Sequence, residues 1–143
     1  MQRAHADFYT SAIDAITAIF GGCVLRTYTG AFSATLAVQT FGSVPAGTVL
    51  SEFTIPTPSH QPAAWNAAAA TYEALITNSW QDLQANASGS FGCFAIFRAG
   101  QVVYDGTAGG PGSGKDMILS AASVTVNAPF SITKFSIRKP PMS

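Results

Sequence analysis

The chain has 143 residues, with seven Lys and Arg against seven Asp and Glu, so its formal net charge is zero; it carries two His and two Cys. That length suits one domain, and no apolar run reaches the ~18–20 residues that cross a bilayer. Neutrality argues against nonspecific nucleic-acid binding, and no basic region leads into an apolar stretch with a cleavage site, so no export signal is expected.

Residues 1–22 are expected to supply one N-terminal helix. Phe8, Ala12, Ala15 and Ile19 recur at helical spacing, and Tyr9, Ile13, Ile16 and Phe20 make a second apolar row beside them. Asp7 suits the N-cap or first turn, and Gly21-Gly22 suits the stop. Two adjoining rows make a face wide enough either to pack on the chain's own sheet or to dock on a neighbouring subunit.

Beyond Gly22 the period changes from helical to two. Cys23–Tyr28 is a predicted strand. Residues 29–47 form a long, weakly patterned loop or arm, and such a loop inside a domain is more often functional or interface-forming than idle. Thr48–Ile55 is a second strand, with Val49, Phe53 and Ile55 on one parity. Pro56, Pro58 and Pro62 enforce a loop. In Ala63–Ile76 the alanine run favours helix while Thr71, Tyr72 and Ile76 favour strand; a strand over the second half is preferred. Asn78–Ser90 reads as loop. Phe91–Phe97 is apolar on both faces, the mark of a central strand buried on both sides, and Ala99-Gly100 turns it into a strand over Gln101–Tyr104. After the glycine-rich Ala108–Gly114 come strands at Met117–Ser120, Ser123–Val126 and Phe130–Ile137. In the last, Phe130 and Ile132 share a parity that Phe135 and Ile137 reverse, which places a β-bulge near Thr133-Lys134. The expected fold is mainly β: a β-sandwich or jelly-roll-like domain of seven to eight short strands over residues 23–143, preceded by one N-terminal α-helix, forming a single domain overall.

Familiar catalytic patterns fail on inspection. Gly109–Asp116 follows most of a phosphate-binding loop, but Asp116 stands where a hydroxyl must reach magnesium, and a strand rather than a helix is expected next. No Ser lies in a nucleophile elbow. His5 and His60 have no metal-ligand partner at i+4; the ordinary reading of both is a solvated imidazole. Cys23 and Cys93 fall in predicted strands and read as two buried thiols. No catalytic residue, metal ligand or cofactor-binding residue is therefore assigned.

Charged residues make up only 10% of the chain, against ~25% in ordinary soluble domains. None lies between Arg26 and Glu52, between Glu52 and Glu73, or between Asp116 and Lys134. Free domains usually keep a charged surface, because neutrality promotes association. The expectation is a subunit that works packed against copies of itself or a partner.

Several segments, taken in order, resemble a group of small tailed-bacteriophage virion proteins. They are Arg26-Thr27-Tyr28-Thr29-Gly30, Gly47-Thr48-Val49-Leu50, Phe94-Ala95-Ile96-Phe97-Arg98 leading to Val103-Tyr104-Asp105-Gly106-Thr107, then Lys115–Ser120 and Ser131–Ile137. The likeness spans roughly residues 8–138, and the order of the motifs carries it; the stretches Pro56–Pro62 and Ala67–Ala70 depart from the pattern. The resemblance implies a virion structural protein without enzymatic activity, cofactor, metal, nucleic acid, membrane or small-molecule substrate. Within that class the preferred reading is a head decoration, or cement, protein on the capsid exterior, made in the host cytoplasm. Its partners would be itself, as a homotrimer, and the major capsid protein. The candidate contact residues are Tyr9, Ile13, Ile16 and Phe20 of the helix and Phe32, Leu36, Val38 and Phe41 of the arm. The alternatives are a tail, baseplate or head–tail component, and a carbohydrate-binding adhesion module using Trp65, Tyr72 and Trp80.

Overall fold

The computed structural model describes residues 5–30, 45–78 and 80–139, of which Arg138 and Lys139 are described by their backbone alone. Helix α1 runs Ala6–Phe20. His5 caps it: the imidazole Nδ1 accepts from the Asp7 N–H at 3.2 Å, leaving Asp7 as the first-turn acid favoured by the helix dipole. Gly22, with φ +82°, ends it in the left-handed region.

Among the described residues twelve short strands follow: β1 Val24–Tyr28, β2 Val49–Thr54, β3 Ala64–Asn66, β4 Thr71–Ala74, β5 Trp80–Asp82, β6 Gly89–Ser90, β7 Cys93–Arg98, β8 Gln101–Gly109, β9 Met117–Leu119, β10 Ser123–Val124, β11 Phe130–Phe135 and β12 Ile137–Lys139. Seven of them form one sheet in the order β2-β1-β7-β8-β9-β11-β5. The sheet nearly closes on itself: beyond β5, the Asn86 N–H donates to the Leu50 carbonyl of β2 at 2.8 Å. The fold is thus mainly β with one N-terminal helix, as the patterning predicts; its main sheet is barrel-like, and the described residues hold twelve short strands where seven to eight were expected.

β7 sits between β1 and β8 and is buried along five of its six residues. Phe94 and Ile96 enter the main core inside the curved sheet with Leu25, Leu50, Met117, Leu119, Ile132 and Phe135. Cys93, Ala95 and Phe97 join Tyr28 and Val102 in a smaller cluster on the other face. Gly106, paired with Phe94, makes room for that ring, since a Cβ there would lie 2.8 Å from the ring edge. The hairpin into β8 turns at Ala99 (φ +50°) and Gly100 (φ +79°), the two-residue geometry that suits the twist of the strands.

Several local expectations need correction. Val49 does not share the inner face with Ile55; a bulge in β2 sets two residues, Val49 and Leu50, where β1 advances by one, so Leu50 turns inward instead. The alanine run forms neither helix nor strand. It is the loop of a β3–β4 hairpin, held by Asn66 Oδ1, which accepts from the Ala68 and Ala69 N–H groups, with Ala70 at φ +50°. Asn78–Ser90 is not all loop, because β5 and β6 lie within it. The expected bulge in β11 is present between Ile132 and Lys134.

The glycine-rich stretch also has a structural use. β8 and β9 pair in parallel, with Ala108 opposite Met117 and Gly109 opposite Ile118. Parallel neighbours ordinarily need a crossover of a dozen or more residues, yet only residues 110–116 connect these two. Gly112 and Gly114 adopt positive φ to make so tight a return. Asp116 then fastens it: its Oδ2 accepts from both the N–H and the hydroxyl of Thr107 at 2.9 Å.

One position at the end of β1 tests the packing directly. A Cβ on Gly92 would lie 1.8 Å from the Gly30 carbonyl oxygen, a backbone atom that cannot step aside. The Gly92 N–H and C=O are themselves bonded to Tyr28 and Ala108. Gly92→Ala is expected to cost about 3 kcal/mol and to lower the melting temperature by roughly 10 °C in a thermal unfolding scan.

Candidate interaction surface

Helix α1 offers two apolar faces, and the fold uses one. Tyr9, Ile13, Thr17 and Phe20, at successive helical turns, are buried against the chain itself. Tyr9 stacks on Tyr72 of β4 with ring centroids 4.9 Å apart. Phe20 meets Tyr104 at 5.3 Å and Phe135 at 6.0 Å. The expectation that Tyr9, Ile13 and Phe20 contact another molecule is therefore corrected: their surface is consumed by the small β12-β4-β3 sheet and the core. Ile16, beside them, remains exposed.

The outward face carries the first apolar row. Phe8 (58% exposed) and Ile19 (43%) line it, with Ala12 and Ala15 between them, and Ile16 (39%), from the edge of the second row, lies open beside it. Phe8 also touches the buried row, edge-on to Tyr9 at 5.7 Å. Around the helix the exposed row is centred about a third of a turn from the buried one, so both cannot face the same sheet. Beyond α1, Trp65 on edge strand β3 is exposed and lies 4.9 Å from Tyr72. Rings therefore follow one another from Phe8 through Tyr9 and Tyr72 to Trp65.

Among the described residues, Leu75, Leu83 and Val126 are the other large exposed apolar side chains. Trp80 is not available to stack on a ligand: it is 3% exposed, packed against His60 and Phe135. Tyr72 is half-buried beneath Tyr9. Of the three aromatics proposed for sugar stacking, only Trp65 is open. The arm residues Phe32, Leu36, Val38 and Phe41 lie outside the described residues. Sequence patterning displayed Phe8 and Ile19 as an apolar row, but held no signal that this was the row left outside.

Charge on the surface is sparse and local. Arg26 bonds Glu52 across β1 and β2 and lies over the Phe97 ring at 4.6 Å. An exposed pair of this kind contributes little stability. Among the described residues, no group of three His, Cys, Asp or Glu is placed to hold a metal ion, and no helix is long and apolar enough to cross a membrane. His60 departs from expectation: it is buried, not solvated.

Cys23 and Cys93 are free and buried, and they belong to different core clusters on opposite faces of the sheet. Burial raises both thiols above their ordinary value of 9.0, in Cys93 with help from the Asp105 charge and in Cys23 against the pull of Arg98. Because the folded chain holds these protons more tightly than the unfolded chain, their stabilising contribution is full below pH ~9 and lost as pH rises through the folded values. The denaturant midpoint is expected to hold from pH 7 to 8.5 and to fall above pH 9; Cys93→Ala should blunt that fall.

Comparison with family models, with curated proteins and with solved structures finds no match to this chain.

Proposed function

We propose that this chain is a structural subunit of a tailed-bacteriophage virion, most specifically a head decoration protein that binds the capsid lattice and resists internal pressure. The observation that supports this reading is the outward face of α1: Phe8, Ile16 and Ile19, apolar and open, on a chain in which only one residue in ten is charged. A soluble domain with spare helix surface ordinarily covers it with charge. Here the helix is amphipathic only towards its own core, and its second face remains apolar.

The energetics favour a multivalent clamp. If one subunit buries ~1,000 Å² of apolar surface on a capsid, the gross transfer term is about 25 kcal/mol, and association and ordering costs remove much of it. Three linked subunits engaging together multiply the remainder through effective concentration. Individually modest contacts then give lasting attachment.

The test is sedimentation of purified particles carrying the tagged chain, with its copy number measured by quantitative mass spectrometry. Hundreds of copies per particle are expected for a head decoration protein. A few to a few dozen would move the protein to the tail or baseplate, and no co-sedimentation at any concentration would overturn the virion reading.

A further inference from the structure

His60 lies at a junction that the surface described above does not use. Its Nε2 is 2.9 Å from the Phe135 carbonyl, and a carbonyl can only accept, so Nε2 carries a hydrogen. Its Nδ1 is 2.9 Å from the Ser59 hydroxyl oxygen, which is itself 3.0 Å from the Thr17 carbonyl of α1. One chain of polar groups thus joins β11, the proline loop and the last turns of the helix.

The number of hydrogens in this chain depends on the ring. With His60 neutral, Nδ1 is an acceptor, and the single Ser59 hydroxyl hydrogen faces two acceptors and satisfies one. With His60 protonated, Nδ1–H donates to Ser59, Ser59 donates to Thr17, and every link is made. The gain comes with a cation enclosed by Phe20, Trp80 and Phe135, at centroid distances of 5.9, 5.6 and 5.4 Å. Among the described residues no carboxylate forms an ion pair with it. Asp14 of α1 lines the adjoining cavity of about 460 Å³, where its Oδ1 accepts from the Ala63 N–H at 2.8 Å. The other ionisable groups on the surrounding elements are Asp7 and Tyr9 on α1, Tyr72 and Glu73 on β4, Asp82 on β5, Tyr104 and Asp105 on β8 and Lys134 on β11.

We propose that His60 is an acid-operated latch: protonation of the enclosed ring releases the proline loop, residues 56–62, from α1 and β11. The loop is the way out for the charge. Pro56, Thr57, Pro58, Gln61 and Pro62 are all exposed, whereas Phe135 and Trp80 behind the ring are core. The loop is otherwise held by a few bonds to residues 75–77, among them Gln61 N–H to the Leu75 carbonyl at 2.7 Å and Thr77 N–H to the Ser59 carbonyl at 3.1 Å.

Burial lowers the imidazole pKa from its ordinary 6.5, and the hydrogen bond to the Phe135 carbonyl opposes part of that fall. A lowered folded value means that the unfolded or opened chain binds the proton better. The latch therefore holds above pH 6.5 and gives way as pH falls through the window beneath it.

The test is hydrogen exchange of the Gln61 and Thr77 amides between pH 7.5 and 5, corrected for intrinsic exchange, alongside an NMR titration of the His60 ring. In the wild type, exchange is expected to accelerate at least tenfold, with a midpoint that coincides with the ring's titration and lies below 6.5. His60→Gln, whose amide can still donate towards Phe135 but does not titrate, should show no acceleration. An acceleration unchanged in His60→Gln, exchange that stays flat while the ring titrates, or a ring titrating at or above 6.5 would each overturn the latch. Should the variant fail to fold, agreement or disagreement of the two wild-type midpoints decides the matter.

Discussion

Phe135→Ala is expected to remove about 3–5 kcal/mol of stability, measured as the unfolding free energy from a denaturant titration. Phe135 lies where the aromatic core converges. Its ring centroid lies 5.1 Å from Phe94, 5.4 Å from His60 and 6.0 Å from each of Phe20, Trp80 and Tyr104. Those rings come from α1, the proline loop, β5, β7 and β8, so a cavity at Phe135 loosens the helix and both halves of the barrel together. Domains of this size have ~5–15 kcal/mol in all, which leaves the variant close to unfolding at 25 °C. Phe8→Ala, on the exposed face, is expected to change stability by no more than ~0.5 kcal/mol. A cost below ~1 kcal/mol at Phe135 would mean that the ring cluster does not hold these elements together.

Replacing Phe8 and Ile19 together by Asp is expected to separate folding from assembly. Both side chains lie on the outward face and neither belongs to the core, so circular dichroism and the melting temperature should stay close to wild type. Each half-exposed apolar side chain that becomes buried at an interface contributes roughly 1–2 kcal/mol. Losing the pair, before any penalty for burying carboxylates, weakens one subunit's attachment by about 30- to 700-fold, and multivalent attachment by more. The readout is the fraction of chain co-sedimenting with particles. Normal decoration by a folded double variant would remove the helix from the contact surface. Val38→Asp with Phe41→Asp then tests the arm by the same assay, and the two pairs distinguish which surface holds the subunit.

The helix itself was readable because Asp7, Gly21-Gly22 and the apolar spacing between them act within a few residues. The same is true of the Ala99-Gly100 hairpin, of β7 with its two apolar faces, and of the bulge in β11, where the change of parity lies in the residues themselves. Reading failed where a second strand decides the outcome. The parity of β2 depends on how Val49 and Leu50 oppose β1. Trp80 lies in a polar, loop-like stretch and becomes core only because β5 pairs with β11. His60, surrounded by prolines, resembled a surface residue; its burial comes from α1 and β11, 43 and 75 positions away by way of Thr17 and Phe135.

From the sequence alone one can determine that the chain is mostly short strands behind one helix, that only one residue in ten is charged, and that the helix carries two adjoining apolar rows. Only the tertiary structure decided which residues of that helix are used internally, Tyr9, Ile13 and Phe20, and which are left open, Phe8, Ile16 and Ile19. The reason is geometric. Apolar periodicity measures how much surface must leave water, while the direction in which it leaves is set by where the β12-β4-β3 sheet and the near-closed barrel happen to lie.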